Sequence, residues 1–403
     1  MDSSEPFLFR AARWLTFASA VLILVSIAAS QILLALALAA LLLSGARLRM
    51  PRIWLPLVLF LAGTLISLAL SPSPAAGLPQ VRKIFVFSML LVVFSTLRDM
   101  RTIRWLFLCW AGAGAIISLR GFVQFGQKVQ EAHALGRNFY DYYIAERITG
   151  FMSHWMTFGG QEMFALLMTA AFLFFACVAG KRAWLWLSCA LLMAVALLLG
   201  FTRSIWLGSA GAGIYLLWFW KRWLAAAVPA ALLLIAFLAP GSIRERFTSM
   251  LRPGKMDSNQ FRIVTLRTGL EMVRAHPWFG LGPEEVKLQF NRYVPADIPR
   301  PLPEGWYGHL HNIYLQYAAE RGIPTMLLML WMLCQILYDC LRRVLRLPPG
   351  RSDLKFVLHG AVAVVLATMI AGLFEYNLGD SEVLTMFLVV AGCAYSAMEC
   401  AVA

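Results

Sequence analysis

The chain has 403 residues, 60% of them hydrophobic and only 14% charged, with a mean hydropathy of +0.71. Soluble domains carry about 25% charged residues, so this composition excludes an ordinary soluble enzyme, a disordered chain and a disulfide-rich secreted module. The net charge of +14 reads as Lys and Arg gathered on the inner side of a membrane, not as a nucleic-acid surface, because no long basic arm interleaved with aromatics occurs.

A membrane-crossing helix needs roughly 20 apolar residues. Apolar runs fall at about 14–29, 31–45, 53–70, 84–97, 103–124, 158–179, 183–200, 204–220, 223–240, 323–340, 356–376 and 383–400. The expected fold is therefore all-α and polytopic, with about 12 transmembrane helices. Residues 1–240 would carry helices 1–9, with a short outer segment at about 125–157. Residues 241–322 would form an outer helical subdomain, and 323–403 would carry helices 10–12.

The opening apolar stretch is too long for a cleaved signal peptide. It is read as a hairpin broken near Ser30-Gln31, because that keeps Arg10, Arg13, Arg47, Arg49 and Arg52 on one side. The same alternation puts Arg98, Arg101, Arg104, Arg342, Arg343 and Arg346 inside, with both termini. The cysteines, Cys109, Cys177, Cys189, Cys334, Cys340, Cys393 and Cys400, lie in or beside apolar runs without a C-x-x-C pair, so neither a redox motif nor a zinc ribbon is suggested.

Polar residues worth singling out cluster on the outer face. Arg82 and Lys83 are paired positives on a short outer turn, suited to anionic lipid phosphates or to ordinary headgroup contact. Arg203 opens an apolar run, where a charge is costly and where Arg binds phosphate as a bidentate fork; snorkelling to headgroups is the plainer reading. Arg262 shares a helical face with Leu266 and Gly269, and Arg267 follows; a solvated face is the plainer reading of both. Pro277 and the Gly280/Gly282 pair end that helix.

Farther on, Asn312, Gln316 and Glu320 recur every fourth residue, which predicts an amphipathic outer helix over 311–321, closed by Gly322 and followed by Pro324 opening a span. His311 would sit in its first turn, where the positive helix end keeps an imidazole neutral and suited to general-base work; a local capping role is the alternative. His309 and His311 form an H-x-H pair near Glu304, without a third metal ligand at recognisable spacing. Trp155, Trp278, Trp306 and Tyr307 either stack on sugars or belong to an interfacial belt.

Three of these stretches resemble the bacterial O-antigen ligase superfamily. His311-Asn312, nine residues, Gly322 and Thr325 is similar to its H-N-x9-G-x-x-T signature. Thr202-Arg203-Ser-Ile-Trp-Leu207 resembles its R-x3-L element. The Arg262 helix running to His276-Pro-Trp-Phe-Gly-Leu-Gly282 is similar to its arginine segment.

The resemblance implies a GT-C-type glycosyltransferase. The donor would be O-antigen on undecaprenyl diphosphate, the acceptor a sugar hydroxyl of lipid A–core, and the site would face the periplasm of the inner membrane. It implies His311, Arg203 and Arg262 as catalytic residues, with Arg82, Lys83, Arg267, His309, Trp306 and Tyr307 as substrate-binding candidates. No cofactor or metal is expected, since two arginines would hold the diphosphate and no D-x-D occurs; Asp380 and Glu382, near Glu375, are where a metal would be sought. An O-antigen polymerase or a protein O-oligosaccharyltransferase shares the motifs. A transporter of an anionic lipid-linked substrate is the alternative of another class, and would place its polar residues at the bilayer midplane.

Overall fold

A computed structural model describes residues 6–176, 180–238, 241, 244–246, 258–348, 350 and 352–400; Cys177 lies outside them. The described elements run α1 (Phe7–Leu22), α2 (Ile27–Leu43), α3 (Trp54–Ala69), α4 (Pro74–Arg82), α5 (Ile84–Thr96) and α6 (Met100–Ala134). Next come α7 (Phe139–Ala145), α8 (Trp155–Phe175), α9 (Lys181–Leu199), α10 (Arg203–Trp220) and α11 (Arg222–Leu238). The chain continues through α12 (Ser258–Ala275), α13 (Glu285–Tyr293), α14 (Ile313–Leu345), α15 (Ser352–Gly372), a 3-10 turn (Asn377–Gly379) and α16 (Ser381–Cys400). No strand occurs among the described residues.

Each apolar run overlaps a described helix. Seven described segments are long and apolar enough to cross a membrane: Pro74–Thr96, α6, α8, α9, α14, α15 and α16. Helices α2 and α3 are apolar but shorter. This is a multi-pass membrane protein; the figure of twelve crossings rests on the apolar runs.

The opening hairpin forms, but it turns earlier than Ser30-Gln31. Ser26 caps α2 by accepting from the Ala29 N–H at 3.3 Å, satisfying a backbone donor that has no partner in the first turn of a helix. Ser30 is instead buried, and it exchanges hydrogen bonds with Ser19 across the hairpin: the Ser19 hydroxyl donates to the Ser30 carbonyl at 2.7 Å and Ser30 returns one at 2.9 Å. A serine in an apolar run signalled a break, whereas its hydroxyl serves as a tie between the two helices.

One end of the bundle collects the arginines. Arg49 pairs with Glu399, Arg104 with Asp353 at 3.4 Å, and the Cys400 thiol donates to the Arg98 carbonyl at 2.7 Å. Arg98 also lies over the Phe9 ring, so both described chain ends sit here. Helix α16 spans 20 residues, about 30 Å at 1.5 Å per residue, and carries the chain to Ser381 at the opposite end.

At that opposite end a second, smaller core forms from Val264, Met272, Leu281, Val286, Phe290, Leu310 and Leu315. It is bolted to α14 by backbone. Gly322 adopts φ 83°, ψ 160° and interrupts α14, as its sequence predicted, while Pro324 has no N–H to offer the Glu320 carbonyl. That carbonyl accepts from the Ser67 hydroxyl at 2.7 Å and the Gly282 N–H at 2.8 Å. The Ala319 carbonyl accepts from Leu281 N–H at 2.9 Å, and Ile323 N–H reaches the Pro277 carbonyl at 2.8 Å.

Residues 277–282 thus dock on the break in α14, and a Cβ at Gly322 would run into the Trp278 carbonyl. Gly322→Ala is expected to cost about 2 kcal/mol through the positive φ and this close approach, read as a lowered unfolding temperature in detergent.

The polar stripe of α14 needs correction. Gln316 and Glu320 are 1% and 2% exposed, so this face is buried rather than facing outward. Gln316 accepts from the Leu310 N–H at 2.7 Å and donates to Glu320 at 2.8 Å; Glu320 accepts from the Glu284 N–H at 3.0 Å. The spacing of polar side chains serves the backbone donors of Leu310 and Glu284, not water.

Candidate functional site

At the end of the bundle opposite the arginine cluster, several helix ends converge on one carboxylate, Glu375, just past α15. Its side chain is only 4% exposed. Arg262, from the first turns of α12, donates to Oε1 at 2.8 Å, and the Ser204 hydroxyl, at the start of α10, reaches the same oxygen at 3.3 Å. His311 Nδ1 lies 3.5 Å from Oε2, long for a hydrogen bond and within ion-pair range. Burial pushes the Glu375 carboxyl up, but the His311 ring and the Arg262 charge outweigh it and hold it below the usual carboxylate range.

His311 is not in the first turn of α14, as its spacing suggested. Asn312 is the N-cap, accepting from the Leu315 N–H at 2.9 Å, and its amide donates to the Leu373 carbonyl at 3.0 Å, so the motif asparagine joins α14 to the end of α15. His311 precedes this cap with φ 50°, a left-handed conformation uncommon for a non-glycine residue. Its backbone N–H donates to His309 Nδ1 at 3.1 Å. His309 is therefore an acceptor at that nitrogen, and burial, followed by the neighbouring His311, pushes its pKa down to about 3. Phe261 packs edge-on to the His311 ring at 5.0 Å.

The second ring nitrogen of His311, Nε2, lies 3.3 Å from the Trp306 carbonyl. A proton on Nδ1, turned toward Glu375, leaves Nε2 as the basic atom. For Nε2 to take a proton from a substrate, the Trp306 carbonyl must give way to a hydroxyl.

Arginines surround this pair. Arg203 is the first residue of α10, beside Ser204. Arg147 rests against Trp155 at 5.1 Å; burial, then the charge of Arg246, push its pKa down to about 9, and Glu375 and Arg203 also act on it. It stays a cation at neutral pH. Arg246 is 4% exposed and donates to the Phe201 carbonyl at 3.0 Å. The three positive-φ non-glycine residues described, Phe201, Glu284 and His311, each sit in or at the edge of one of the three motif stretches. Strain of this kind concentrates where surrounding structure fixes a functional geometry.

Residues 188–330 match the family model described as O-antigen ligase. The match supports membership of the O-antigen ligase/polymerase superfamily, whose members are glycosyltransferase-like enzymes. No curated protein matches the chain.

Within and beside the matched stretch, the predicted residues separate into groups. His311, Arg262 and His309 come together at Glu375, and Arg203 opens the helix whose next residue, Ser204, touches it. Lys83 reaches the turn after Glu375, donating to the Gly379 carbonyl at 2.6 Å, while Arg82 is exposed beside it. Trp306 contributes a carbonyl and leaves its ring largely exposed. Tyr307 is a packing residue, its ring tilted against Phe261 and Phe290 and its hydroxyl donating to the Pro303 carbonyl at 2.7 Å. Glu304 is exposed. Asp380 accepts from the Thr157 hydroxyl at 2.9 Å.

Arg267 stands apart, paired with Asp297 at 2.9 Å on an exposed surface. Surface pairs of this kind are worth about 0–1 kcal/mol, so Arg267→Gln is expected to leave both unfolding temperature and transfer rate within about twofold of the parent protein. A larger loss of rate would return Arg267 to the site.

Sequence reasoning missed Arg147, Arg246 and Ser204, and it named Glu375 only as an acidic neighbour of a possible metal position. The available signal for Glu375 was an ionisable residue closing an apolar run, which is expensive without a partner.

Proposed function

We propose that this protein transfers O-antigen polysaccharide from undecaprenyl diphosphate to a sugar hydroxyl of lipid A–core, with inversion and without a metal. The reading is supported chiefly by one observation, a strained histidine backed by a buried carboxylate that also holds Arg262. In the reaction, the acceptor oxygen attacks the anomeric carbon of the donor. His311 Nε2 takes the hydroxyl proton as the new C–O bond forms. The bond from that carbon to the diphosphate breaks, and undecaprenyl diphosphate leaves with the electron pair.

Arg203 and Arg262 stabilise the charge gathering on the leaving group, with Arg147 adding positive field. Losing one such donor typically costs about 3–4 kcal/mol of transition-state stabilisation. The site would face the periplasm of the inner membrane, with both termini cytoplasmic. That orientation agrees with the arginine-rich end lying opposite Glu375, because Lys and Arg collect on the cytoplasmic side. The convergence of polar groups at one end of the bundle also favours a transferase over a transporter with a midplane site.

The test uses purified protein in detergent with EDTA, undecaprenyl-diphosphate-linked O-antigen and lipopolysaccharide lacking O-antigen. A ladder on lipid A–core is expected. A lengthened lipid-linked chain in its place would identify a polymerase, and unchanged substrates would overturn the transferase reading.

A further inference from the structure

A second feature of the bundle is a cavity that is not at Glu375. It lies at the other end of the bundle, about 880 Å3 in volume, between the α2–α3 link and the ends of α5, α14 and α16. Six arginines line it: Arg49, Arg52, Arg98, Arg342, Arg343 and Arg346. Only two carboxylates do, Asp339 and Glu399.

Those carboxylates are already engaged. Glu399 pairs with Arg49, and buried Asp339 accepts from the Tyr395 hydroxyl at 2.8 Å. Six cations against two anions leave an excess of four positive charges around one cavity. Two polar atoms of its lining residues, Arg343 Nε and Ser396 Oγ, are buried without a hydrogen-bond partner. A buried donor left unsatisfied costs about 1–3 kcal/mol, and an anion seated here would offset the excess charge.

We propose that this cavity binds a phosphate-bearing anion, distinct from the donor diphosphate and about one membrane thickness away from Glu375. Arg342 and Arg343 lie on the last turn of α14 and Arg346 is its C-cap, and all three line the cavity, which suits the several oxygens of phosphate better than a single carboxylate. Phe94, Met50 and Met398 supply apolar wall beside them. That combination fits the headgroup and glycerol of an anionic phospholipid, and basic pockets between membrane helices recognise such headgroups. A soluble diphosphate would meet the same arginines, and the experiment separates the two sources.

Full-length protein in mild detergent is titrated with cardiolipin, with phosphatidylcholine and with inorganic pyrophosphate, following bound lipid by native mass spectrometry and unfolding temperature for all three. Cardiolipin is expected to bind and raise the unfolding temperature where phosphatidylcholine does not. The variants Arg342→Gln, Arg343→Gln and Arg346→Gln are each expected to weaken this by about fivefold. Arg346→Gln changes an exposed side chain and keeps the test open if Arg343→Gln fails to fold. Protection by pyrophosphate with no cardiolipin preference would support the anion site and assign it to a soluble source. Binding of neither above the phosphatidylcholine level, or unchanged binding in Arg346→Gln and Arg342→Gln, would overturn the proposal.

Discussion

Replacing His311 by alanine is expected to lower polysaccharide transfer by about 10²–10⁴-fold, the usual contribution of a positioned general base, with donor binding nearly unchanged. The ring is held for this task from three sides. Glu375 faces Nδ1, Phe261 packs on its edge, and the His309 Nδ1 accepts its backbone N–H, holding the left-handed turn. These contacts come from loops and a helix end rather than from the packed middle of the bundle, so the variant should keep the parent unfolding temperature to within a few degrees.

Two measurements distinguish a base from a residue that only positions the acceptor. Single-turnover rate in the alanine variant should recover in part with added imidazole, which supplies a base without restoring position. His311→Asn tolerates the left-handed backbone and can hydrogen-bond to the hydroxyl, yet it cannot accept the proton at neutral pH. If the asparagine variant works as well as the parent protein, the proton-transfer role is wrong and the side chain only holds the acceptor.

How much of this was legible in the sequence depends on what each residue pattern encodes. The apolar runs marked their helices because burial in a membrane leaves a one-dimensional signature. The break at Gly322 was legible too, since glycine followed closely by proline removes both backbone conformation and donor from a continuing helix.

The stripe Asn312, Gln316 and Glu320 was visible, but not what it faces. Periodicity reports that three polar side chains share a side; it does not report whether water or the backbone at Leu310, Glu284 and Leu373 lies opposite. The same ambiguity moved the first hairpin turn, where Ser30 marks a helix-to-helix hydrogen bond rather than a loop. Glu375 was hidden for a different reason. Its partners come from α10, α12 and the loop before α14, so its role exists only once these distant stretches are brought together.

Glu375→Gln is expected to have the second large effect, and in two separable ways. The amide keeps the shape but removes the charge that Arg262 and His311 share. Breaking a fully buried pair costs about 3–5 kcal/mol; Arg262 is 29% exposed, which lowers the expected loss to about 2 kcal/mol. Transfer should fall as well, by about 10²-fold, because Arg262 loses its anchor and His311 the acceptor that orients Nδ1.

The pH dependence gives the sign. A carboxyl whose folded pKa lies below its ordinary value of 4.5 stabilises the native state by its ionised form. That contribution is fully present above about pH 4.5 and disappears as pH falls through the lowered folded value. The parent protein should therefore lose unfolding temperature faster than the glutamine variant on acidification below that range, and the two curves should converge. Curves that stay parallel down to the lowest pH at which both remain folded would show that Glu375 is not held ionised by its neighbours. The argument that it orients His311 would fall with that result, even if the alanine variant at His311 were inactive.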